Sequence, residues 1–307
     1  MSVGIISHHL CASHEMGKQH PESPARLSAI QDQLIRSGLD SVIRQYEAIP
    51  IEPELLSLVH DPEYISYIFD NSPGEGYFDL DDDALMNPHT LKAALLAAGA
   101  AVQAVDLVMN KEQAAVFCAT RPPGHHATKN RAMGFCFFNN IAIAAAYARK
   151  HYHLQKVAIL DFDVHHGNGT EEIFANQPEV LFCSTFQHPF YPFSGTGETS
   201  SNIINTPLSS SASSEEFRLA ITRQWLPALE KFEPEMLFIS AGFDAHAEDD
   251  MSQVRLYESD YRWVTDELRA FARQHCEGRI VSVLEGGYNL SALGRSVVAH
   301  INGLIGN

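Results

Sequence analysis

The sequence predicts an α/β protein of one domain, with an open parallel sheet and helices on both of its faces. Short apolar or β-branched runs alternate with longer stretches of helical periodicity, which is typical of βα units. No change of composition marks a linker within the 307 residues, a length that one α/β domain commonly reaches. The whole chain, 1–307, is therefore expected to form a single domain.

Six short runs are predicted to be strands and seven periodic stretches are predicted to be helices. The strands are expected at 3–7, 114–119, 157–162, 180–185, 236–241 and 279–284. The helices are expected at 24–36, 61–70, 89–109, 139–151, 215–231, 258–275 and 290–304. Clusters of Pro and Gly predict loops at 71–76, 121–124 and 192–197. The last four helices alternate with strands, which indicates a wound parallel sheet.

The charge balance argues against a direct nucleic-acid partner. The chain has 21 Lys and Arg against 38 Asp and Glu, a net charge of −17, which repels a phosphate backbone and attracts cationic ligands. A solvated acidic surface that aids solubility is the alternative explanation of this charge.

The cysteines and the apolar segments favour a cytoplasmic protein without a membrane span. Five scattered cysteines form no CxxC pair, so neither a disulfide framework nor a cysteine zinc site is expected. The N-terminus lacks the basic and long apolar regions of a signal peptide. The apolar segment 91–109 is interrupted by Gln103 and Asp106 and is expected to fall short of a membrane span.

Polar residues follow four of the predicted strands. In chain order the segments are TRPPGHH, DVHHGNG, GFDAH and EGGYN. Ligands of open parallel sheets bind beyond the carboxyl ends of the strands. The sequence therefore predicts a site where carboxylates, imidazoles and a phenol come together.

The segment after 157–162 has the composition of half a metal site. Asp163 and His165 would point the same way if the strand continued past Asp161, because side chains alternate along a strand. Asp244 is the best candidate for a third ligand, which would leave an open position for water as in catalytic zinc sites. Asp161 is better placed to orient the neighbouring side chains. For each residue alone, a helix cap or a backbone hydrogen bond is an equally good explanation.

Two further segments offer groups for acid–base chemistry. His125 and His126 follow a rigid Pro-Pro-Gly segment, and histidine exchanges protons near neutral pH. Tyr288 follows Gly286 and Gly287, which can let the backbone approach a ligand closely. Either segment alone proves nothing, and a solvent-exposed histidine pair is the alternative for the first.

Taken together, the motifs resemble the histone deacetylase superfamily, which has the arginase–deacetylase fold. They are most similar to its class II and bacterial deacetylase-like amidohydrolases. The matching segments are HPESPARL (20–27), RPPGHHA (121–127), GFCFFNN (134–140), DFDVHHGNGT (161–170), SGTGE (194–198), SAGFDAH (240–246) and EGGYN (285–289). They occur in the family's order, so the resemblance covers nearly the whole chain.

The resemblance implies zinc-dependent hydrolysis of an acetyl, or another small acyl, group from a lysine side chain. It implies that Zn²⁺, or alternatively Fe²⁺, is bound by Asp163, His165 and Asp244. It further implies a catalytic set in which His126 is the general base and then acid, His125 is its protonated partner, Asp161 and Asn168 orient the two histidines, and Tyr288 donates to the substrate carbonyl.

The resemblance also implies residues around the catalytic centre. A structural K⁺ would be bound at Asp161, Asp163, His165, Ser184 and Thr185. Substrate would be bound by Gly134, Phe135, Phe193 and Met251, with the two phenylalanines as walls of an acyl-lysine tunnel. Arg26 would lie on the channel through which acetate leaves.

Several alternatives remain open at this level. An acetylpolyamine amidohydrolase suits the net charge, although Met251 stands where the polyamine-specific branch has a glutamate. The acidic residues within 79–83 and 248–250 are expected to be solvated loops, with contacts to a second ammonium group as the alternative. A dimetal ureohydrolase and a non-catalytic acyl-lysine binder are more distant alternatives. The partner is therefore an acetylated lysine peptide, a protein or an acetylated polyamine, and a homo-oligomer is compatible with the sequence.

Overall fold

The computed structural model describes residues 2–81 and 83–306, and within them it has ten strands and ten α-helices. The strands are β1 Val3–Ser7, β2 Arg44–Glu47, β3 Phe78–Asp81, β4 Ala84–Met86, β5 Ala115–Cys118, β6 Val157–Asp161, β7 Val180–Gln187, β8 Ile203–Leu208, β9 Leu237–Ala241 and β10 Ile280–Leu284. The helices are α1 Ala25–Ser37, α2 Pro53–Leu56, α3 Pro62–Asp70, α4 Thr90–Met109, α5 Asn140–Tyr152, α6 Asn168–Phe174, α7 Ser214–Ala220, α8 Leu226–Phe232, α9 Glu258–His275 and α10 Leu290–Ile305. Short 3-10 turns lie at His9–Ser13 and Leu39–Ser41.

Eight of the strands form one parallel sheet in the order β2-β1-β5-β10-β9-β6-β7-β8. Strands β3 and β4 form a separate antiparallel hairpin. The open parallel sheet expected from the alternating pattern is confirmed.

Helices cover both faces of this sheet. On β5, Val116 and Cys118 pack on the face covered by α4 and α5, while Ala115 and Phe117 pack on the face covered by α1, α9 and α10. Both sets are buried, so the strand is a continuous apolar run without alternation, as expected for a covered parallel sheet. The predicted arrangement of helices on both faces is therefore confirmed.

The sequence missed four strands, which are the edge strands β2 and β8 and the hairpin strands β3 and β4, and the two short helices α2 and α6. The edge strand β2 has the sequence RQYE and is largely exposed, and the opposite edge strand β8 contains Pro207. Edge strands need only one row of backbone partners and tolerate polar residues and proline. The hairpin β3–β4 is short, although it buries Ala84 and Met86 and packs Phe78 and Leu80 partly buried against the core. The single helix predicted at 215–231 is α7 and α8 joined by a π-helical turn, Ile221–Trp225, directly before Pro227.

Helix α4 is long and apolar enough to cross a membrane by length and composition, contrary to the sequence expectation. Most of it is buried inside the fold, which is how the core helix of a globular protein also passes this test. At Gly99 an added Cβ would lie 1.9 Å from the carbonyl oxygen of Ile49. The helix therefore packs directly on neighbouring backbone of its own chain.

The four strands with polar ends, β5, β10, β9 and β6, are neighbours at the centre of the sheet. In sequence β9 and β10 come last, because after β6 the chain forms β7 and the edge strand β8 before it returns to the centre of the sheet. Their carboxyl ends meet where the strand order changes direction, the position at which such sheets bind ligands.

Candidate active site

A cluster of two carboxylates and one imidazole lies at the carboxyl ends of β6 and β9. Ligand atoms of Asp163, His165 and Asp244 are all within 4.8 Å of one another, and the three residues are buried. We call these three residues the metal cluster. His165 Nδ1 is 3.1 Å from Asp163 Oδ1 and 3.1 Å from Asp244 Oδ2. Backbone N–H groups of Val164 and Gly286 donate to the remaining carboxylate oxygens of Asp244 and Asp163.

The loop after β6, rather than a longer strand, brings these side chains together. The strand ends at Asp161, so the alternation that would apply if it continued to His165 does not orient these side chains. Asp161 Oδ1 accepts from the N–H of Asp163, and Asp163 Oδ1 accepts from the N–H of His165. These two local turns are typical of aspartate. An added Cβ at Gly242 or Gly286 would lie 2.0 Å from an oxygen of the cluster, so close packing requires glycine at both positions.

The donor set of the metal cluster fits a divalent transition metal. Two carboxylates and one imidazole are hard and borderline ligands that suit zinc or ferrous iron, and three protein ligands leave a position for water. The only other group of this kind within residues 2–81 and 83–306 is His8, His9 and Glu47 at the surface. The described part of the site therefore has one such cluster, which does not favour the dimetal alternative.

The two adjacent histidines have different partners. His125 Nδ1 is 2.9 Å from Asp161 Oδ2, and His126 Nδ1 is 2.7 Å from Asn168 Oδ1. Burial lowers the pKa of His125, but the charges of Asp161 and Asp163 outweigh it and raise the pKa to about 10. Burial and then the charges of His125 and His165 hold the pKa of His126 well below its usual value. The pair therefore offers one protonated and one neutral imidazole, 4.0 Å apart between ring centroids.

A cavity of about 360 Å³ opens above the metal cluster and His126. Its walls include Phe135, Phe190, Tyr191, Met251 and Tyr288, and Gly134 also borders it. Gly134 has φ +55°, and an added Cβ there would lie 2.3 Å from the ring of His126. The structure thus brings Gly134, Phe135 and Met251 to the cavity, as predicted for substrate contacts.

Phe193 does not line the cavity, and its prediction as a tunnel wall is wrong. Its side chain is 75% exposed. Its N–H donates to the carbonyl of Phe190 at 2.7 Å, and its φ is +62°, so the chain turns here and directs the ring to solvent. Tyr191 takes this place, with its ring centroid 5.3 Å from that of His126. The aromatic pair before Pro192 was the signal that could have identified it.

Tyr288 also borders the cavity, and its ring lies edge-on to that of Phe135 with the two centroids 6.0 Å apart. Burial raises its pKa well above the usual value, so the hydroxyl keeps its proton. Behind it, the buried guanidinium of Arg26 donates to the backbone carbonyls of Gly287 and Glu285 and lies 5.1 Å from the Tyr288 ring centroid. Arg26 does not border the cavity, so its role in product exit stays a prediction.

Glu285 was missed as a site residue by the sequence analysis. Its Oε2 accepts from the N–H groups of Gly124 and His125, and its Oε1 accepts from the Ser240 hydroxyl. Burial raises the pKa of this carboxyl to about 7. The side chain therefore fixes the turn that presents the histidine pair.

The predicted potassium ligands comprise Asp163 and His165 of the metal cluster and three residues of the strands β6 and β7. Asp161 pairs in register with Ser184 between β6 and β7, and Thr185 is the next residue. Ser184 Oγ is buried and has no hydrogen-bond partner within the described residues. An unpartnered hydroxyl beside carboxylates fits a monovalent cation, so these residues suit the predicted K⁺ while the ion itself stays a prediction.

The acidic segments divide between the cavity and the protein interior. Asp83 and Asp250 border the cavity, and Asp83 also accepts from the N–H of Gly134. Asp249 is buried and accepts backbone hydrogen bonds. Asp82 lies outside the described residues. Two of the acidic candidates are thus placed where a cationic substrate could reach them.

Fold and site together are those of a hydrolase with a candidate metal centre at the carboxyl edge of its sheet. Residues 20–304 match the sequence profile of the histone deacetylase domain. The chain belongs to this family, and it is a hydrolase of the histone deacetylase type.

Individual relatives agree with this assignment. A probable deacetylase of Archaeoglobus fulgidus is 37% identical, covering 94% of this chain and 82% of its own length. A histone deacetylase-like amidohydrolase of Pseudomonas aeruginosa is 35% identical, covering 93% of this chain and 77% of its own length. The crystal structure of the HDA15 HD domain superposes with a TM-score of 0.94 at 33% identity, covering 100% of this chain and 88% of the other.

Proposed function

We propose that the chain hydrolyses the amide of an acetylated, or otherwise short-acylated, lysine side chain. The observation that carries this proposal is the histidine pair with its unlike partners, Asp161 and Asn168, beside the metal cluster. An amide is attacked by water only if the water loses a proton and the oxyanion is stabilised. The pair supplies the base for the first requirement.

The protein groups have complementary tasks in this proposal. Zinc, or ferrous iron, at the metal cluster would supply a water of lowered pKa and a polarised substrate carbonyl. His126 is neutral and accepts the proton of the attacking water. His125 keeps its proton and stabilises the negative charge that develops beside it. Tyr288 donates a hydrogen bond to the oxyanion, and His126 then returns its proton to the departing amine.

The shape of the cavity supports a linear substrate. Phe135, Phe190 and Met251 provide apolar walls, which suit the methylene chain of lysine. The carbonyl of Gly134 is proposed to accept a hydrogen bond from the scissile amide. At about 360 Å³ the cavity is near the lower end of small-molecule sites, which favours a short acyl group.

An acetylpolyamine is the second candidate substrate, because Asp83 and Asp250 border the cavity. Their carboxylates can attract the free ammonium group of an acetylpolyamine, which acetyl-lysine in a peptide lacks. The net charge of −17 adds a long-range attraction for such a cation.

The first test compares kcat/KM of metal-reconstituted protein on an acetyl-lysine peptide and on acetylputrescine, each with a chelator control. We expect turnover of the peptide that the chelator abolishes. The Asp250→Asn variant separates the two substrates, since it lowers kcat/KM only where the carboxylate reads a substrate ammonium. Asp79→Asn is the matched control, because Asp79 is exposed and does not border the cavity.

A preference for acetylputrescine that Asp250→Asn removes would assign the site to polyamines. No turnover of either substrate with zinc or ferrous iron would contradict the proposed hydrolysis.

A further inference from the structure

We propose that Asp249 is a positioning residue for Tyr288, whose phenol it holds over the cavity. This inference rests on the proposed function, in which Tyr288 donates to the oxyanion. The sequence offered Asp249 as a rim acid for a cationic substrate, and the structure assigns it a different task.

The carboxylate of Asp249 is used by the protein itself. The residue is 5% exposed. Its Oδ2 accepts from the N–H groups of Tyr288, at 2.6 Å, and Asn289, at 2.9 Å, and its Oδ1 accepts from the N–H of Met251 at 3.0 Å. Three backbone donors from two segments therefore meet on one buried side chain. Both segments contribute to the cavity wall, through Met251 and Tyr288.

One peptide group shows why this contact matters for Tyr288. The carbonyl of Gly287 and the N–H of Tyr288 belong to the same peptide unit. Arg26 Nε donates to that carbonyl at 2.7 Å, and Asp249 accepts from that N–H. Charged side chains thus form a hydrogen bond with each end of this peptide unit. Such charge-assisted hydrogen bonds are stronger than those between neutral groups. The plane of this peptide sets the direction in which the Tyr288 side chain leaves the backbone.

Before Tyr288 the turn is held at Gly286, whose N–H donates to Asp163 and whose carbonyl accepts from the N–H of Phe243, while the N–H of Tyr288 itself donates to Asp249. Gly287 has φ +119°, a region that glycine enters freely, so its own backbone preference does not select this shape. On the far side, Asn289 caps α10 by accepting from the N–H of Ala292. Asp249 is therefore the side chain that connects the flexible glycine to the rigid helix.

The test is a double-mutant cycle with Asp249→Asn and Tyr288→Phe. An asparagine has nearly the same volume and keeps one acceptor oxygen, but it turns an NH₂ group toward backbone donors. The substitution therefore breaks hydrogen bonds that fix the turn. We expect Asp249→Asn to lower kcat roughly 10- to 100-fold, because a displacement of about 1 Å can have that effect. We expect KM to stay within about twofold, since the ground state does not need the phenol.

In the Tyr288→Phe background the same substitution should have little further effect on kcat. Residues that act through one another are non-additive in such a cycle. A purely structural role would instead lower kcat by the same factor in both backgrounds, and that result would overturn the proposal.

Asp260→Asn is the matched control, because Asp260 is also buried and accepts from a backbone N–H, that of Tyr257, away from the cavity. It should destabilise the protein without changing kcat. Amide hydrogen exchange of residues 284–290 gives a readout that does not need activity. We expect faster exchange there in Asp249→Asn and unchanged exchange in Asp260→Asn, and equal exchange in both variants would contradict the positioning role. If the parent protein turns over no substrate, the proposed function is refuted. The exchange measurement would then still test whether Asp249 positions Tyr288.

Discussion

His125 and His126 are the same residue type at adjacent positions, yet their surroundings keep His125 protonated and His126 neutral. The charges of Asp161 and Asp163 raise the pKa of His125 against the effect of burial, whereas burial and the charges of His125 and His165 lower that of His126, whose direct partner Asn168 adds no charge. A carboxylate stabilises an imidazolium, whereas an amide oxygen does so much less. The different protonation of the two histidines therefore depends on the charged groups around each ring, of which Asp161 is the direct partner of His125.

The Asn168→Asp variant tests whether the charge beside His126 controls its protonation. A carboxylate at this position stabilises protonated His126 and raises its pKa, whereas the proposed base must be deprotonated. We expect the acidic limb of the kcat/KM profile to move to higher pH by about one unit. A pH profile measured from 5 to 9 on one substrate would show it.

Asn168→Ser provides the control, since a hydroxyl accepts from His126 without adding charge. An acidic limb that stays in place in Asn168→Asp would contradict the assignment of His126 as the base.

The sequence identified the site residues that follow the predicted strands, including Asp244, and failed where a role depends on the direction of a side chain or on a buried hydrogen bond. Asp163 and His165 lie in one short loop, and the structure brings Asp244 to them from the end of a neighbouring strand. Tyr191 was missed because the direction of a side chain in a turn, unlike its type, depends on the local φ. The task of Asp249 was not predicted because two of its three backbone donors, at Tyr288 and Asn289, lie 39 and 40 residues further along the chain.

At the level of elements, helices with a strong apolar pattern were predicted closely and the weak edge strands were missed. The helix at 258–275 has the predicted bounds because its apolar residues recur along one face that packs on α10. Strand β2 has no such pattern, since its pairing with β1 is made by backbone groups that the residue types do not reveal.

His300 connects three of these elements and gives a stability prediction. It lies in α10, and its two ring nitrogens are 2.7 Å from the Thr265 hydroxyl of α9 and 2.9 Å from the Ser282 hydroxyl of β10. Burial lowers its pKa to about 3, so the folded protein keeps it neutral. The unfolded chain, with a pKa near 6.5, binds a proton as the pH falls below that value. The contribution of neutral His300 to the free energy of unfolding is therefore fully present above pH 6.5 and is lost as the pH falls toward 3.

His300→Gln should remove this part of the pH dependence, because glutamine can donate and accept but does not titrate. Between pH 7.5 and 5 we expect the unfolding free energy of the parent protein to fall by roughly 2 kcal/mol more than that of the variant. Urea unfolding with chelator present at both pH values measures this difference. His275→Gln, at an exposed position of α9, should behave as the parent does. Equal pH dependence in parent and His300→Gln would show that His300 is not the titrating group.

At the scale of the whole molecule, the acidic surface and the acidic cavity mouth act in the same direction. The charge of −17 creates a negative potential around the protein, and Asp83 and Asp250 continue it into the cavity. Composition alone could not tell this arrangement from a solvated surface, because it gives the amount of charge and not its place. The structure places two carboxylates at the border of the cavity.

Salt dependence of catalysis tests whether this potential reaches the substrate. The screening length in water is about 10 Å at 0.1 M salt, so attraction from outside the cavity weakens strongly as salt is raised to about 0.3 M. We expect kcat/KM for acetylputrescine, a cation, to fall several-fold over that range through a slower encounter. A doubly capped Nε-acetyl-lysine is uncharged and of similar length, so its kcat/KM should change little. If both substrates respond equally to salt, the ions act on the protein rather than on the encounter, and the acidic surface serves solubility alone.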